Sequence, residues 1–251
     1  MSADESGSSL SGALPPPTHQ FSMQSMSDAE LIAAIHAVPT FADPNVLAQI
    51  KIDGANGQHA ALMRLNHPVR IQIEGSLGDY AYAYNAETDI RQTGNVGHGV
   101  GEGMRSGAVR IRGNAGVGAG AAMTGGTLAI YGDAGDRCGA GMRSGGIFVR
   151  GDVGHEVGVG AIGGMIVIGG DAGRNLGDAM NNVSVFIRGK AESLADGVTE
   201  APLRKREMLR LGLLLINASI RGDANEFRRI VPEAMLRAEE ARRGEVAPNW
   251  R

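Results

Sequence analysis

Glycines recur at a fixed interval of 19 residues through the middle of this 251-residue chain. Seven of them, called the anchor glycines below, are Gly75, Gly94, Gly113, Gly132, Gly151, Gly170 and Gly189. A second set follows the first six anchors by three residues, and a third set follows the middle anchors by seven residues, from Gly101 to Gly177. A fixed period of this kind is typical of repeat architectures, in which each repeat packs on its sequence neighbours.

Short alternating runs precede most anchors and predict one β-strand in each repeat. In each run two aliphatic residues alternate with residues that face the other way, as in strands with one buried face. The repeat at residues 89–93 fits least, because only Ile90 is aliphatic there. The predicted inward pairs are Ile71/Ile73, Val109/Ile111, Leu128/Ile130, Ile147/Val149, Ile166/Ile168 and Val185/Ile187.

Equal spacing between strands, with no helical pattern between them, predicts that the chain coils. We therefore expect an all-β core, a right-handed parallel β-helix (solenoid) of about seven 19-residue coils over residues 65–198. Successive coils would stack at about 4.8 Å. The glycines are expected to adopt positive φ at corners and to let neighbouring backbone layers approach closely.

The two ends of the chain have different patterns from the repeat. Residues 1–26 are rich in Ser, Gly and Pro and predict a flexible tail. Residues 27–64 are predicted as a helical N-terminal segment and entry to the solenoid, opened by a capping box at Ser27 and Glu30. Residues 199–251 are predicted as a C-terminal helical segment.

That C-terminal segment contains a stretch, from Leu203 to about residue 218, that is apolar on more than one helical face and therefore needs burial. A further helical stretch is expected from Asp223, with Pro232 at a helix boundary. Because an open solenoid end exposes unpaired strand edges, we also expect a terminal cap, either from the chain itself or from a partner protein.

Composition excludes several classes of protein. The single cysteine, Cys138, excludes an intrachain disulfide framework, and with no signal-peptide pattern we expect a cytoplasmic protein. The formal net charge is −3, and the basic residues of the C-terminal segment are mixed with glutamate at helical spacing, which argues against nucleic-acid binding. No apolar stretch approaches the roughly 20 residues of a membrane span.

A search for catalytic and metal-binding motifs predicts none in this chain. Residue 2 is serine, so we expect no N-terminal cysteine nucleophile. His98 and His155 share a column but lie three coils, about 14 Å, apart, too far to bind one metal. The Gly-x-Gly-x-x-Gly match at residues 158–163 falls in phase with the repeat and is interpreted as coincidence.

The aspartates after the anchors leave two interpretations open, and the single cysteine needs an interpretation of its own. Asp133, Asp152 and Asp171 follow successive anchors, and they could either attract a cation or accept hydrogen bonds from turn N–H groups. Cys138 is expected to be a small buried residue rather than a reactive thiol. We therefore predict no catalytic, cofactor-binding or metal-binding residue in the chain.

Methionine and arginine columns define a possible docking face. The segment Gly-Met-Arg-Ser-Gly occurs at residues 103–107 and 141–145. Two interpretations remain open: corner packing for Met with solvated Arg, or a flat face on which both dock other subunits. The columns are Met104, Met123, Met142 and Met180, and Arg112, Arg150 and Arg188.

The repeated unit Gly-Asn/Asp-x-Gly-x-x-x-Gly, at residues 113–120, 132–139 and 170–177, resembles the GXGXG-repeat β-helix domain at the C-terminus of glutamate synthase large chains. The resemblance covers about residues 55–198. The free-standing small GXGXG subunit of N-methylglutamate synthase is similar in further segments, at residues 57–60 and 177–178. The same repeat builds one of the subunits of formylmethanofuran dehydrogenase and of the bacterial formyltransferase/hydrolase complex.

The resemblance implies a structural spacer between glutaminase-like and FMN/iron–sulfur synthase domains, without catalytic residues of its own. We therefore predict a non-catalytic structural subunit of a multi-subunit glutamate synthase-type amidotransferase/oxidoreductase complex, with N-methylglutamate synthase (methylamine–glutamate N-methyltransferase) as the first expectation. FMN and an iron–sulfur cluster are expected in a partner subunit, and the expected partners are proteins, not nucleic acid or membrane. The alternatives are the GXGXG-repeat subunit of a formyltransferase/hydrolase (formylmethanofuran dehydrogenase-like) complex and a stand-alone scaffold.

Overall fold

The structure, a computed structural model, describes residues 19–43, 46–217 and 222–245. Within these ranges the chain forms one eleven-stranded sheet and three α-helices. The sheet order is β1 to β9 in sequence, followed by β11 and then β10. The strands are β1 (His19–Ser22), β2 (Ala48–Asn56), β3 (Val69–Ser76), β4 (Asp89–Gln92), β5 (Ala108–Ile111), β6 (Thr127–Ile130), β7 (Gly146–Val149), β8 (Met165–Ile168), β9 (Ser184–Ile187), β10 (Val198–Ala201) and β11 (Arg228–Pro232), and the helices are α1 (Asp28–His36), α2 (Lys205–Asn217) and α3 (Glu233–Glu245).

Strands β1 to β9 are parallel, and from β3 onward each step across the sheet advances the chain by 19 residues. Ile71 pairs with Ile90 and Ile90 with Val109, and the same register continues to Val185. The predicted inward pairs are all buried, each at most 1% exposed. The predicted all-β parallel solenoid of about seven coils is therefore confirmed.

The glycine sets solve two different steric problems. At the anchor Gly132, an added Cβ would collide with Oδ1 of Asn114 in the preceding coil. At Gly139, in the third set, φ is +72°, a conformation that glycine adopts without the clash an L side chain suffers. Both roles predicted for the glycines are confirmed. The anchor glycines allow close approach of the neighbouring coil, and the glycines of the third set have positive φ. Gly75 is an anchor that also has a positive φ, +113°.

The coil after β3 carries tyrosines at these left-handed positions. Tyr80, Tyr82 and Tyr84 have φ values of +59°, +60° and +60°. The rings of Tyr80 and Tyr84 lie against Gly99 and Gly103 of the next coil, where a Cβ would collide with them. A left-handed conformation costs a residue with a side chain about 1–2 kcal/mol. This coil has three such residues in a row of alternating positions, where the next coil has glycine at each equivalent position, Gly99, Gly101 and Gly103.

At the N-terminal end the sheet continues two strands beyond the seven-coil repeat. Strand β1 pairs in parallel with β2, which pairs with β3 in a register 21 residues apart, as Ile50 with Ile71. The prediction of a flexible tail is therefore wrong for residues 19–26, because β1 has a neighbouring strand that satisfies its backbone groups. Residues 1–18 of that predicted tail lie outside the described residues.

Helix α1 closes the N-terminal end of the solenoid. It begins with the predicted capping box, in which Ser27 accepts from the Glu30 N–H and Glu30 accepts from the Ser27 N–H. Its apolar residues Leu31 and Ile35 are buried in the same core as the coils. Oδ1 of Asp28 accepts a 2.9 Å hydrogen bond from the N–H of Leu62, so the helix is also tied to the first coil.

The C-terminal end is closed by two strands, β10 and β11, in a region where the sequence pattern predicts a helical segment. Strand β11 pairs antiparallel with β9, and β10 pairs antiparallel with β11. Ile230 of β11 is 2% exposed and belongs to the solenoid core, so this antiparallel pair of strands covers the last coil. Helix α3 begins directly after Pro232, as predicted for that boundary.

Helix α2 lies on the outer face of the sheet, over β6 to β9. There the outward residues Ala129, Phe148, Val167 and Phe186 are buried against Leu211 and Leu215 of the helix. Further toward β2 the same outward column is polar, with Gln72 on β3, Arg91 on β4 and Arg110 on β5. The outer face therefore has a helix-covered apolar half and an uncovered basic half.

Candidate interaction surface

The aspartates that follow the anchor glycines form a ladder of hydrogen bonds to the backbone. Oδ1 of Asp133 accepts from the N–H of Asp152 at 2.9 Å. Oδ1 of Asp152 accepts from the N–H of Asp171 at 2.7 Å. Of the two interpretations of this column, hydrogen bonding to turn N–H groups is the one that the structure shows.

A second ladder uses the histidines. Oδ1 of Asp136 accepts from the N–H of His155 at 2.8 Å, and Nδ1 of His155 accepts from the N–H of Arg174 at 2.9 Å. His98 accepts in the same way from the N–H of Val117. Because Nδ1 is the acceptor, the ring proton of these histidines lies on Nε2. Each imidazole thus joins two coils.

The metal-binding alternative has no geometric support in the part of the chain that the structure describes. Nowhere in that part do three or more His, Cys, Asp or Glu side chains converge so that they could hold a metal ion. Oδ1 of each aspartate instead accepts a hydrogen bond from the backbone N–H of the equivalent aspartate in the next coil.

Cys138 is fully buried in the interior of the solenoid. Its neighbours in the column are Ala119 and Val157, which occupy the same position in the coils on either side. Burial raises the pKa of the Cys138 thiol to about 12, so the thiolate needed for nucleophilic chemistry does not form near neutral pH. The interpretation of Cys138 as a small buried residue is confirmed.

The methionine column is part of the core. Met104, Met123 and Met142 are 0% exposed and Met180 is 7% exposed. These residues pack within the solenoid and are not available to a docking partner, so for methionine the corner-packing interpretation is correct. In the two Gly-Met-Arg-Ser-Gly segments the methionine is buried, and the arginine is exposed.

The arginine column remains on the surface. Arg112 and Arg150 are exposed, and the guanidinium of Arg150 lies 6.0 Å from the ring centroid of Tyr131. Arg188 is held more firmly, because its Nε donates a 2.8 Å hydrogen bond to the carbonyl oxygen of Gly169.

The uncovered half of the outer sheet face carries a cluster of arginines around one carboxylate, called the arginine patch below: Arg70, Arg91 and Arg110 with Asp89. Asp89 accepts from Arg70 at 2.8 Å and from Arg110 at 2.6 Å. Burial lowers the pKa of the Arg91 guanidinium, and Arg70 and Arg110 lower it further, against the opposing effect of Asp89. Three cations with one anion leave this face positively charged.

Helix α2 exposes an apolar strip on the side that faces away from the sheet. Leu209, Leu213 and Ile216, called the α2 strip below, are 72%, 65% and 73% exposed. The prediction that this helix needs burial is correct for the face on the sheet, but the structure leaves the opposite face uncovered. Covering one such side chain removes apolar surface worth about 1.5–3 kcal/mol.

A groove runs beside α2 between the helix and the sheet. It has a volume of about 420 Å³ and is lined by Arg210 and Leu214 of the helix and by Thr127, Gly146 and Phe148 of the sheet, among others. Thr127 pairs with Ala108 of β5, the strand that carries Arg110. The α2 strip, the groove and the arginine patch therefore lie on one side of the molecule.

The α2 strip and the arginine patch were not predicted as sites, because each depends on which face of an element is left uncovered.

The chain matches no protein-family model and no curated protein sequence. None of the helices in the described ranges has the length and apolar character needed to cross a membrane.

Proposed function

We propose that this chain is a non-catalytic structural subunit of a glutamate synthase-type amidotransferase/oxidoreductase complex, with N-methylglutamate synthase as the particular assembly. In such a complex the solenoid, about 30 Å along seven coils, holds a glutaminase-like subunit and an FMN/iron–sulfur subunit at a fixed separation. Those partners carry the cysteine nucleophile, the flavin and the cluster. The choice of complex comes from the resemblance of the glycine repeat to that family.

One observation supports a structural role most directly: the titratable side chains at the coil corners serve as acceptors for the backbone of the next coil. Asp133, Asp152 and His155 each accept a backbone N–H at 2.7–2.9 Å. Side chains that accept hydrogen bonds in this way stabilise the stacking of the coils, which is a structural use of these groups. The exposed α2 strip then supplies a surface for other subunits.

The test is purification of the tagged full-length chain from the cells that encode it, grown on methylamine. Co-purifying subunits are analysed for flavin absorbance and for iron and zinc content, and the preparation is assayed for methylamine-dependent formation of N-methylglutamate. We expect a partner that contains FMN and iron, and activity in the complex. The isolated chain is the matched control and should have no activity.

Each other outcome identifies a different assignment. A zinc amidohydrolase-like partner would replace this proposal with the GXGXG-repeat subunit of a one-carbon formyltransferase/hydrolase complex. A chain that purifies alone and remains soluble and monodisperse would support a stand-alone scaffold. Turnover by the isolated chain would overturn the structural role itself.

A further inference from the structure

The α2 strip has the spacing of a coiled-coil seam. Leu209, Leu213 and Ile216 are separated by four and three residues, which corresponds to heptad positions d, a and d. All three side chains are more than half exposed, as required of a seam that has no partner helix in the structure. The seam is therefore suited to a second amphipathic helix that lies along α2.

Two of the positions that flank this seam are basic, and Gly212 occupies another. Lys205 occupies position g and Arg210 position e, the positions that form salt bridges between the helices of a coiled coil. The acidic residue Glu207 is directed elsewhere, because its carboxylate pairs with Nε of the buried Arg229 at 3.1 Å. The arginine patch adds positive charge on the same side of the molecule.

We propose that the α2 strip docks an acidic amphipathic helix of a partner subunit, with apolar residues on Leu209, Leu213 and Ile216 and carboxylates facing Lys205 and Arg210. This inference rests on the proposed function, since it assumes that the chain works in a complex. A second copy of α2 is disfavoured by charge. Parallel helices would place Lys205 against Arg210, and antiparallel helices that pair Leu209 with Leu213 would place Arg210 against its own counterpart.

The probes are two synthetic helical peptides with leucine at a and d, which differ only in having glutamate or lysine at e and g. Binding of each fluorescently labelled peptide to the full chain is measured by anisotropy. We expect the glutamate peptide to bind and the lysine peptide to bind much more weakly, with the difference reduced at high salt. Equal binding of the two peptides, or binding of neither, would overturn the proposal.

Substitutions on α2 test whether the peptide binds to this helix. Leu213→Ser is expected to lower the affinity for the glutamate peptide by about tenfold or more, as for a central apolar contact. Arg210→Glu should reduce the preference for the glutamate peptide, because Lys205 is then opposed by an acidic residue at the other flanking position. Ile162→Ser, which changes an apolar side chain 50% exposed on another part of the solenoid, is the matched control and should bind as the unchanged chain does. Thermal unfolding monitored by circular dichroism shows that each variant is folded.

Two further outcomes separate this inference from the proposed function. A dimer by light scattering that Leu213→Ser converts to a monomer would overturn the inference, because the occupant would be a second copy. If Leu213→Ser abolishes peptide binding but the native complex assembles at its normal affinity, the docking strip is wrong and the structural role stands. If the peptides bind as expected but no complex is recovered from cells, the docking strip stands and the structural role fails.

Discussion

The hydroxyl of Tyr82 donates a 2.7 Å hydrogen bond to Oε1 of Gln92 inside the solenoid. Gln92 occupies a column that is aliphatic in the other repeats, between Ile73 and Ile111. Its Nε2 donates to the carbonyl oxygens of Gly75 and Asn95, at 3.0 and 3.1 Å. The buried amide is thus fully satisfied, and the repeat that looked weakest in the sequence is completed by a tyrosine from the same coil.

The Tyr82–Gln92 pair should behave as a unit in a double-mutant cycle. Gln92→Leu leaves the Tyr82 hydroxyl buried without an acceptor, and Tyr82→Phe leaves Oε1 of Gln92 without its donor. Each single change should lower the free energy of unfolding by about 1–3 kcal/mol. The double variant should recover part of that loss, because both polar partners are then absent. Urea unfolding measures all four proteins, and strictly additive losses would contradict the pairing.

Asp152 should tolerate an amide but not a methyl group. Asp152→Asn keeps Oδ1 as the acceptor for the N–H of Asp171 and removes repulsion within the aspartate column, so stability should be unchanged or slightly higher. Asp152→Ala removes the acceptor and should cost about 1–2 kcal/mol. Calcium titration of the unchanged chain completes the test, since a rise in Tm that Asp152→Asn abolishes would indicate a cation site instead.

Cys138 should be unreactive in the folded chain. At pH 8 a disulfide reagent should label it only after unfolding in guanidinium chloride, because the buried thiol has a pKa of about 12. The raised pKa also has a consequence for stability. Above pH 9.0, the ordinary thiol pKa, the unfolded chain loses the thiol proton while the folded chain keeps it. The free energy of unfolding should therefore be unaffected by this group below pH 9.0 and fall by about 1.4 kcal/mol per pH unit from there toward pH 12. Cys138→Ala should lack this alkaline component, and rapid labelling of the native chain would refute the burial.

The buried ion pair of the C-terminal cap should matter far more than an exposed one. Arg229 is 1% exposed and forms two hydrogen bonds with Glu239 of α3, at 2.7 and 3.1 Å. Glu239→Gln should cost about 3 kcal/mol, because it leaves a buried cation with less compensation.

The matched control for Glu239→Gln is Glu233→Gln, which breaks the exposed pair with Arg237 on the same helix. It should cost less than about 0.5 kcal/mol. Thermal unfolding measures both variants. Similar losses for the two would mean that the buried pair does not hold the cap in place.

The residues at the coil corners show which features the sequence pattern predicts and which it does not. The equal spacing of Gly113, Gly132 and Gly151 was sufficient to predict stacked coils, since any other arrangement would break the register of every glycine at once. The roles of Asp133 and His155 as acceptors were not decidable from spacing. Each depends on the direction of an N–H in a neighbouring coil, which a sequence does not display.

Strand β11 is a case in which the sequence pattern predicted the wrong secondary structure. Residues 228–232 have too short an apolar pattern to distinguish a strand from part of a helix, and the segment was predicted as helical. The unpaired edge of β9 decides the outcome, because β11 satisfies that edge and places Ile230 over the open core. Tertiary context therefore overrides local preference at the point where the repeat ends.

From its amino-acid order alone this chain is committed to a stacked parallel solenoid, because a period of 19 residues with alternating aliphatic pairs buries a continuous core only in that way. The tertiary structure decides which surfaces remain exposed, because this depends on where the C-terminal segment packs. Helix α2 covers the apolar half of the outer sheet face and leaves the α2 strip and the arginine patch exposed. Coverage is a relationship between distant segments, and a linear pattern contains no information about which of two apolar faces will find a partner.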